Sequence, residues 1–543
     1  MMRGVIPILV ALGLVVALPL LFRQPENNGR LAQDELVIIS PHNEAIRFEF
    51  TRAFAEYYRK TTGRTVYIDW RLPGGTTEII KYLNSEFEAA FRNYWTRDLG
   101  LQWNRDVLDA FANPRVHGTS SEGPEGERAR YAFLNSKVGC GIDLLFGGGS
   151  FDFVNLAERG MLVDSGVLSR FPELFTGGQE MSIPRTLGGE PYWDAHGRWI
   201  GTCLSDFGIC YNTDTIARLG IATPPTQWTD LAGARFFNAV ALADPTKSGS
   251  VAKAFELIVQ QQMNERLAEL AASNPDRPRD QLEKQAVTEG WARGLQLLIR
   301  LGANSRYFTD SAASIPVDVA YGEAAAGMCI DFYGRFESEA VADANRRSRL
   351  KYTGVVGGTS VGADSIALLR GAPHPEVAKA FIEFVLTLDG QKLWDYRVGT
   401  PGGPVRYALR RLPIRKEFYG QPYQAFMSDS GVNPYQSAQA FEYHEAWTAP
   451  LFSAIRFLVQ VMCIDCREEL VGAAKAIGNR PLDSPAFSKL IDISRVRYDV
   501  AMHEIRDTLR SADKVKQIRL AEELTSYFRA QYRDAERMAC QGK

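Results

Sequence analysis

The stretch ALADPTKSGSVAKAFELIVQQQ, residues 241–262, decides how the rest of the chain is read. Its apolar opening, with Val240 before it, reads as the end of a buried strand. Asp244 and Pro245 break that pattern. Lys247-Ser248-Gly249-Ser250 then leads into a run in which Val251, Ala254, Phe255, Ile258 and Val259 recur at helical spacing. A Ser-Gly-Ser turn at a helix start presents free backbone N–H groups, two hydroxyls and the positive end of the helix dipole. Two readings follow. Ser248, Gly249 and Ser250 hold an anionic group such as phosphate, phosphonate or carboxylate, or Ser248 or Ser250 serves only as a helix cap.

Upstream, strands and helices alternate. ELVIIS ends at Ser40, and Pro41-His42-Asn43 leads into EAIRFEFTRAFAEYYRK, where Ile46, Phe50, Ala53, Phe54, Tyr57 and Tyr58 share one helical face. Gly63 stands where a helix favours a C-terminal glycine. TVYIDW gives a second strand, and Gly74-Gly75-Thr76-Thr77 opens a second helix. Residues 92–137 are polar and irregular and read as an insertion. After them GIDLLFGGGSFDFVNLAERGML supplies strand, glycine turn and helix. The glycines at 147–149 either let the backbone approach a small ligand closely, through Gly148 and Gly149, or make a tight strand-to-helix turn. This rhythm predicts an α/β protein with a parallel sheet, whose ligand loops lie at the carboxyl ends of the strands.

Downstream, a charged helical insertion spans residues 264–288. A further helix follows, EGWARGLQLLIRLGAN, with Trp291, Leu295, Leu298 and Ile299 on one face. SAASIPVDVAYGEAAAGMCIDFYGRF reads as helix, turn and a buried strand ending at Asp331-Phe332-Tyr333. VGGTSVGADSIALLRGAPHPEVAKAFIEFVLTLDGQKLW then gives a strand, a turn and a long amphipathic helix.

A length of 543 residues calls for two or three domains. With 62 basic and 64 acidic side chains the net charge is −2, which argues against a general nucleic-acid binder. Arg3 precedes an uncharged apolar run over residues 4–22. At 1.5 Å per residue that run is roughly 28 Å long, enough to cross a bilayer core. Residues 1–30 therefore read as an export signal, either cleaved or kept as a membrane anchor, plus a linker, with the body of the chain periplasmic or otherwise extracytoplasmic. The seven cysteines fit that compartment, and their odd number leaves at least one thiol unpaired.

The order of these pieces resembles the extracellular solute-binding proteins of ABC importers, in the iron(III)-, phosphonate- and polyamine-type branch. The resemblance is carried by YNTD (211–214) followed by PPTQWTDL (224–231), by ADPTKSGS (243–250) opening a helix, by SAASIPVDVAYGEAAAGM (311–328), and by PHPEVAKAFIEFVLTLDGQKLW (373–394). It covers residues 35–411.

That family implies a two-lobed, type II periplasmic-binding-protein-like fold that closes on its ligand by a hinge. Carried across, lobe one is 35–202 plus 352–411, lobe two is 203–333, and 334–351 is a crossover. The resemblance places Ser40, Asn43, Gly75, Thr76, Gly148 and Gly149 of lobe one opposite Ser248, Gly249, Ser250 and Tyr333. It also implies an ABC permease as partner, a small-molecule ligand and no catalysis. Asp331 and Asp364 read either as partners for an ammonium or hydroxyls of the ligand, or as strand-end caps and salt bridges. Iron-binding members use a Tyr-Tyr pair, where this chain has Asp331-Phe332-Tyr333. Ferric ion wants several anionic oxygen donors, so the departure points away from iron. No metal and no other cofactor is expected.

Residues 412–543 exceed what that fold needs and read as a helical C-terminal extension packed on lobe one. Cys463-Ile464-Asp465-Cys466 lacks the βαβ setting of a redox motif and reads as a local disulfide or a pair of buried thiols. No Gly-x-Ser-x-Gly, His-Glu-x-x-His or P-loop lysine pattern occurs, and only six histidines are scattered through the chain, so a hydrolase is the weakest reading. The alternatives to import of an anionic solute are a membrane-anchored sensor or scaffold with a degenerate binding-protein fold and, second, an iron(III)-binding protein.

Overall fold

The computed structural model describes residues 32–542 apart from 178–180, 346 and 512. The expected anchor over residues 1–30 lies outside the described residues. The chain opens with β1 (Asp34–Ile39), α1 (Glu44–Thr62), β2 (Val66–Arg71) and α2 (Thr76–Asn93). After β3 (Leu144–Gly149) and α3 (Ser150–Glu158) come two neighbouring strands, β4 (Ile200–Ser205) and β5 (Phe207–Asn212). Then follow β6 (Val240–Ala243), α4 (Gly249–Ser273), α5 (Arg279–Asn304), β7 (Ser305–Thr309), β8 (Ala326–Ile330), α6 (Asp331–Ala340), β9 (Leu350–Gly354) and β10 (Gly362–Leu369). The rest is α7 (Pro375–Leu386), a two-residue strand β11 (Leu412–Pro413) and the helices α8 (Phe452–Val459), α9 (Arg467–Ile477) and α10 (Lys514–Cys540).

These elements build two sheets, one in each of two α/β lobes. Lobe one has the order β11-β4-β10-β3-β1-β2, with Leu162–Val163 also pairing on β10. Lobe two has the order β7-β6-β8-β5-β9. In each lobe parallel pairs meet an antiparallel strand that arrives beside a crossover, β10 in lobe one and β5 in lobe two. The alternation of β1 shows why its sheet is buried on both faces. Leu36 and Ile38 enter one core with Phe50 and Phe54 of α1, while Val37 and Ile39 enter another with Ile79 and Leu83 of α2.

The chain crosses between lobes at Asp206 and again between Gly354 and Gly362. This corrects the boundaries. Cys203 pairs with Asp364 in lobe one, and Tyr352 pairs with Cys210 in lobe two, so 203–205 and 352–354 change sides. The expected crossover at 334–351 instead completes α6 at 334–340 and begins β9 at 350, both on lobe two. Asp331 starts α6 rather than ending a strand.

One of the two insertions differs from expectation. Residues 92–137 are largely ordered helix, with Trp95, Phe111 and Phe133 buried against Phe87 and Phe91 of α2. Their polar sequence is the solvent face of a packed layer. Residues 264–288 lengthen α4 and α5 into an antiparallel pair joined at 274–278.

The C-terminal extension corrects a larger point. Only its first part lies on lobe one, where Leu412 and Ile414 join that core. The helices pack on lobe two and share a single core with it. Leu458, Val459, Leu470, Leu524, Phe528 and Tyr532 pack with Trp291, Leu298 and Val259. Burying the exposed faces of α4 and α5 is the physical reason, because those long helices leave an apolar flank that the five-stranded lobe does not cover. The helical stretch Glu445–Ile464 is long and apolar enough to cross a membrane, and it is mostly buried in this shared core. Cys463 and Cys466 are free, buried thiols. Cys463 Sγ donates to the Leu298 carbonyl at 3.6 Å and Cys466 Sγ to the Val461 carbonyl at 3.2 Å.

Candidate functional site

Between the lobes lies a cavity of about 830 Å³. The amino ends of α2, α3 and α4 all reach it, through Gly75 and Thr76, through Gly149 and Ser150, and through Ser248, Gly249 and Ser250. Each helix start leaves backbone N–H groups without intrahelical acceptors, and each carries a positive dipole end. The sequence produces these starts locally. Gly75 and Gly149 occupy the cap positions of α2 and α3 without a side-chain cap bond, and Ser248 caps α4 by accepting from the Val251 N–H at 3.4 Å. The cap reading of Ser248 therefore describes its hydroxyl, which also lines the cavity.

The structure gathers nine of the twelve sequence-derived residues around this cavity. Gly75, Thr76, Gly148, Gly149 and Asp364 face it from lobe one, and Ser248, Gly249, Ser250 and Tyr333 from lobe two. Three stand elsewhere. Ser40 is fully buried, and its hydroxyl accepts from the His42 N–H at 3.0 Å. Asn43 caps α1, accepting from the Ile46 N–H at 3.2 Å. Asp331 is buried and ion-paired with Arg335 one turn along α6, because the helix start turns its side chain away from the cleft while Phe332 and Tyr333 face it.

Asp364 is already engaged, ion-paired with Arg411, whose guanidinium lies 3.8 Å over the Phe332 ring. The turn before β11 positions this arginine. Arg410 sits in the left-handed region at φ 55, so successive side chains diverge. Arg410 turns away to Asp429 at 2.6 and 2.8 Å, while Arg411 enters the cavity. His42 also lines the cavity, its Nε2 3.9 Å from Asp364. Burial, then the nearby Arg411 and Arg47, hold its imidazole well below the ordinary 6.5, so the ring is neutral. Neither ring nitrogen has a hydrogen-bond partner among the described residues.

Lys253, one turn into α4, lies 3.0 Å from Glu190 of lobe one and 3.1 Å from Glu256. Burial alone lowers its pKa. The two carboxylates outweigh that and hold the ammonium above 10.5. Asp152, in the first turn of α3, is pushed up to about 6 by burial, against the opposing pull of Arg456. Sequence reasoning missed Arg411, Lys253, Glu190 and Asp152. Arg411 pairs with Asp364 across 47 residues, and Lys253 and Asp152 meet Glu190 and Arg456 from other segments of the chain, so no local motif marks them. The one available signal was Lys253 in the opening turns of the helix already singled out. Among the described residues no three His, Cys, Asp or Glu side chains gather as a metal-binding group.

Comparison with known proteins gives three kinds of match. The family model of bacterial extracellular solute-binding proteins matches residues 149–413. An uncharacterised protein of Haemophilus influenzae is 26% identical over 187 residues, 34% of this chain and 44% of that relative, so the match spans less than half of it. Among solved structures, the periplasmic binding protein AfuA from Actinobacillus pleuropneumoniae, with fructose-6-phosphate bound, is 15% identical with a TM-score of 0.46, covering 83% of this chain and 100% of that one. Iron-bound HitA from Pseudomonas aeruginosa is 14% identical with a TM-score of 0.46, covering 78% and 99%. The spermidine/putrescine-binding protein PotD from Streptococcus pneumoniae is 14% identical with a TM-score of 0.42, covering 79% and 98%. The matched segment begins at the glycine that caps α3, runs through the Ser-Gly-Ser turn and ends just past Arg411, so it contains lobe two and much of the cavity wall. Just under half of the chain, residues 149–413, thus resembles the bacterial extracellular solute-binding proteins.

Proposed function

We propose that this chain binds a small anionic solute between its two lobes outside the cytoplasm and delivers it to an ABC permease. The observation that carries the reading is the convergence of three helix amino ends, α2, α3 and α4, on one cavity. Backbone N–H groups and the hydroxyls of Thr76, Ser150 and Ser250 would hold a phosphate, phosphonate or carboxylate there. The Asp364–Arg411 pair, with neutral His42 and Tyr333, offers polar contacts for the other end of the ligand. Ferric ion is poorly served, because Asp364 is taken by Arg411 and one tyrosine replaces the pair used by iron-binding members of the branch.

A thermal-unfolding panel on the body from Ala32 onward tests this, comparing inorganic phosphate, sugar phosphates, phosphonates, ferric citrate and spermidine. A true ligand at a hundred times its dissociation constant stabilises by about 2.7 kcal/mol. The expected result is stabilisation by phosphorylated compounds that is lost in Ser250→Ala/Thr76→Val. Stabilisation by ferric citrate or spermidine alone would overturn the anionic reading. A second reading, a sensor or scaffold, is favoured by the helical extension packed across lobe two. Silence with every compound would support it.

A further inference from the structure

Residues 441–456 run beside the mouth of the cleft and touch both lobes. The Tyr443 N–H donates to the Gly188 carbonyl of lobe one at 2.7 Å, while its hydroxyl donates to Glu256 of α4 in lobe two at 2.9 Å. The hairpin of Thr186–Leu187 and Glu190–Pro191, on lobe one, is shaped to this contact. Gly189 has φ 79, and a Cβ there would stand 1.9 Å from the Tyr443 carbonyl oxygen. Beneath the Tyr443 ring, at 3.4 Å, lies Lys253, whose two carboxylate partners belong to different lobes.

Farther along, the Phe452 ring lies 4.3 Å from Phe151 of α3 in lobe one. Arg456 spans the cleft. It donates to the Pro245 and Thr246 carbonyls of lobe two at 2.8 and 2.9 Å, and to Thr77 Oγ1 of lobe one at 3.2 Å. The cleft walls meet here. A Cβ on Gly75 would be 3.6 Å from the Lys247 carbonyl oxygen, and one on Gly249 would be 3.6 Å from Asp152.

The two attachments are unequal. Toward lobe two, Leu451, Ala454, Ile455 and Leu458 belong to its core. Toward lobe one, a backbone hydrogen bond, a ring pair and a side-chain hydrogen bond make the contact. We infer that residues 441–456 are a strap that holds the lobes shut without ligand, and that the cleft opens when Phe452 and Arg456 release lobe one while the strap stays on lobe two.

Distance distributions between spin labels test the strap directly. One label replaces exposed Lys60 on lobe one and the other exposed Tyr321 on lobe two, in a Cys140→Ser/Cys540→Ser background, with no ligand added. The unmodified strap should give one narrow distance. Phe452→Ala/Arg456→Ala should lengthen and broaden it, and so should Phe151→Ala/Thr77→Val, which removes the ring pair and the side-chain hydrogen bond on lobe one, keeps the Tyr443–Gly188 bond and leaves the C-terminal helices intact. The second variant decides the matter if the first fails to fold. A long, broad distribution in the parent protein, or an unchanged distance in either folded variant, would overturn the strap.

Discussion

Asp152 shows how a single residue ties the cleft to pH. Its pKa is raised from 3.8 to about 6, chiefly by burial in the closed cleft. An acid that binds its proton more tightly when folded contributes stability below its unfolded pKa, and that contribution is lost as pH rises through the folded value. Asp152→Asn removes the loss. The stability of the variant relative to the parent should therefore grow between pH 4 and pH 7, by roughly 2 kcal/mol, in urea unfolding followed at each pH. Gly147 makes a different demand. It has φ 100, and a Cβ there would stand 2.6 Å from His42 Nε2. Gly147→Ala should cost roughly 2–4 kcal/mol in the same measurement, from the left-handed backbone and the displaced imidazole together.

At the scale of elements, two polar devices hold long helices in register with the site. Glu49 lies within the apolar face of α1, fully buried, and its carboxylate accepts the N–H groups of Val405, Arg406 and Tyr407 at 3.0, 2.7 and 2.9 Å. It fixes the segment that delivers Arg411 to the cavity. Glu49→Ala leaves three donors without their partner, so it should destabilise by about 3 kcal/mol and weaken binding of any ligand that contacts Arg411. Chemical unfolding and a binding titration read the two effects separately. Ser248 is the second device. Ser248→Ala should cost about 1 kcal/mol as a lost cap. Ser250, which caps nothing, separates ligand binding from helix stability.

At the scale of the whole molecule, lobe two has no core of its own. Trp291 of α5 packs with the C-terminal helices, and its Nε1–H donates to the Val496 carbonyl at 2.9 Å. Ending the chain after Tyr443 would strip the apolar flank of α5, exposing Trp291, which packs against the Tyr498 ring, and the Gly302 face that Cys463 covers. Such a truncation should lose cooperative unfolding and bind a hydrophobic dye, although it keeps everything the binding-protein fold needs by length. Calorimetry and dye fluorescence check it.

Much of this was legible in order along the chain. The apolar run of β1, the amphipathic face of α1 with Gly63 behind it, and the strand, turn and helix of residues 240–259 are local patterns, and local hydrogen bonding and burial periodicity suffice to specify them. The glycine and serine helix starts around the cavity were legible for the same reason. The side on which Asp331 emerges, the choice of Asp364 as partner for Arg411, and the lobe that receives the C-terminal helices were not. Each depends on which surfaces meet after folding. The sequence by itself determined the alternating elements, the resemblance to two-lobed binding proteins and the helix ends that could face an anion. Only the tertiary structure decided which charges are already paired, which lobe the extension completes and what spans the cleft, because those contacts join residues far apart in the chain whose pairing no local pattern encodes.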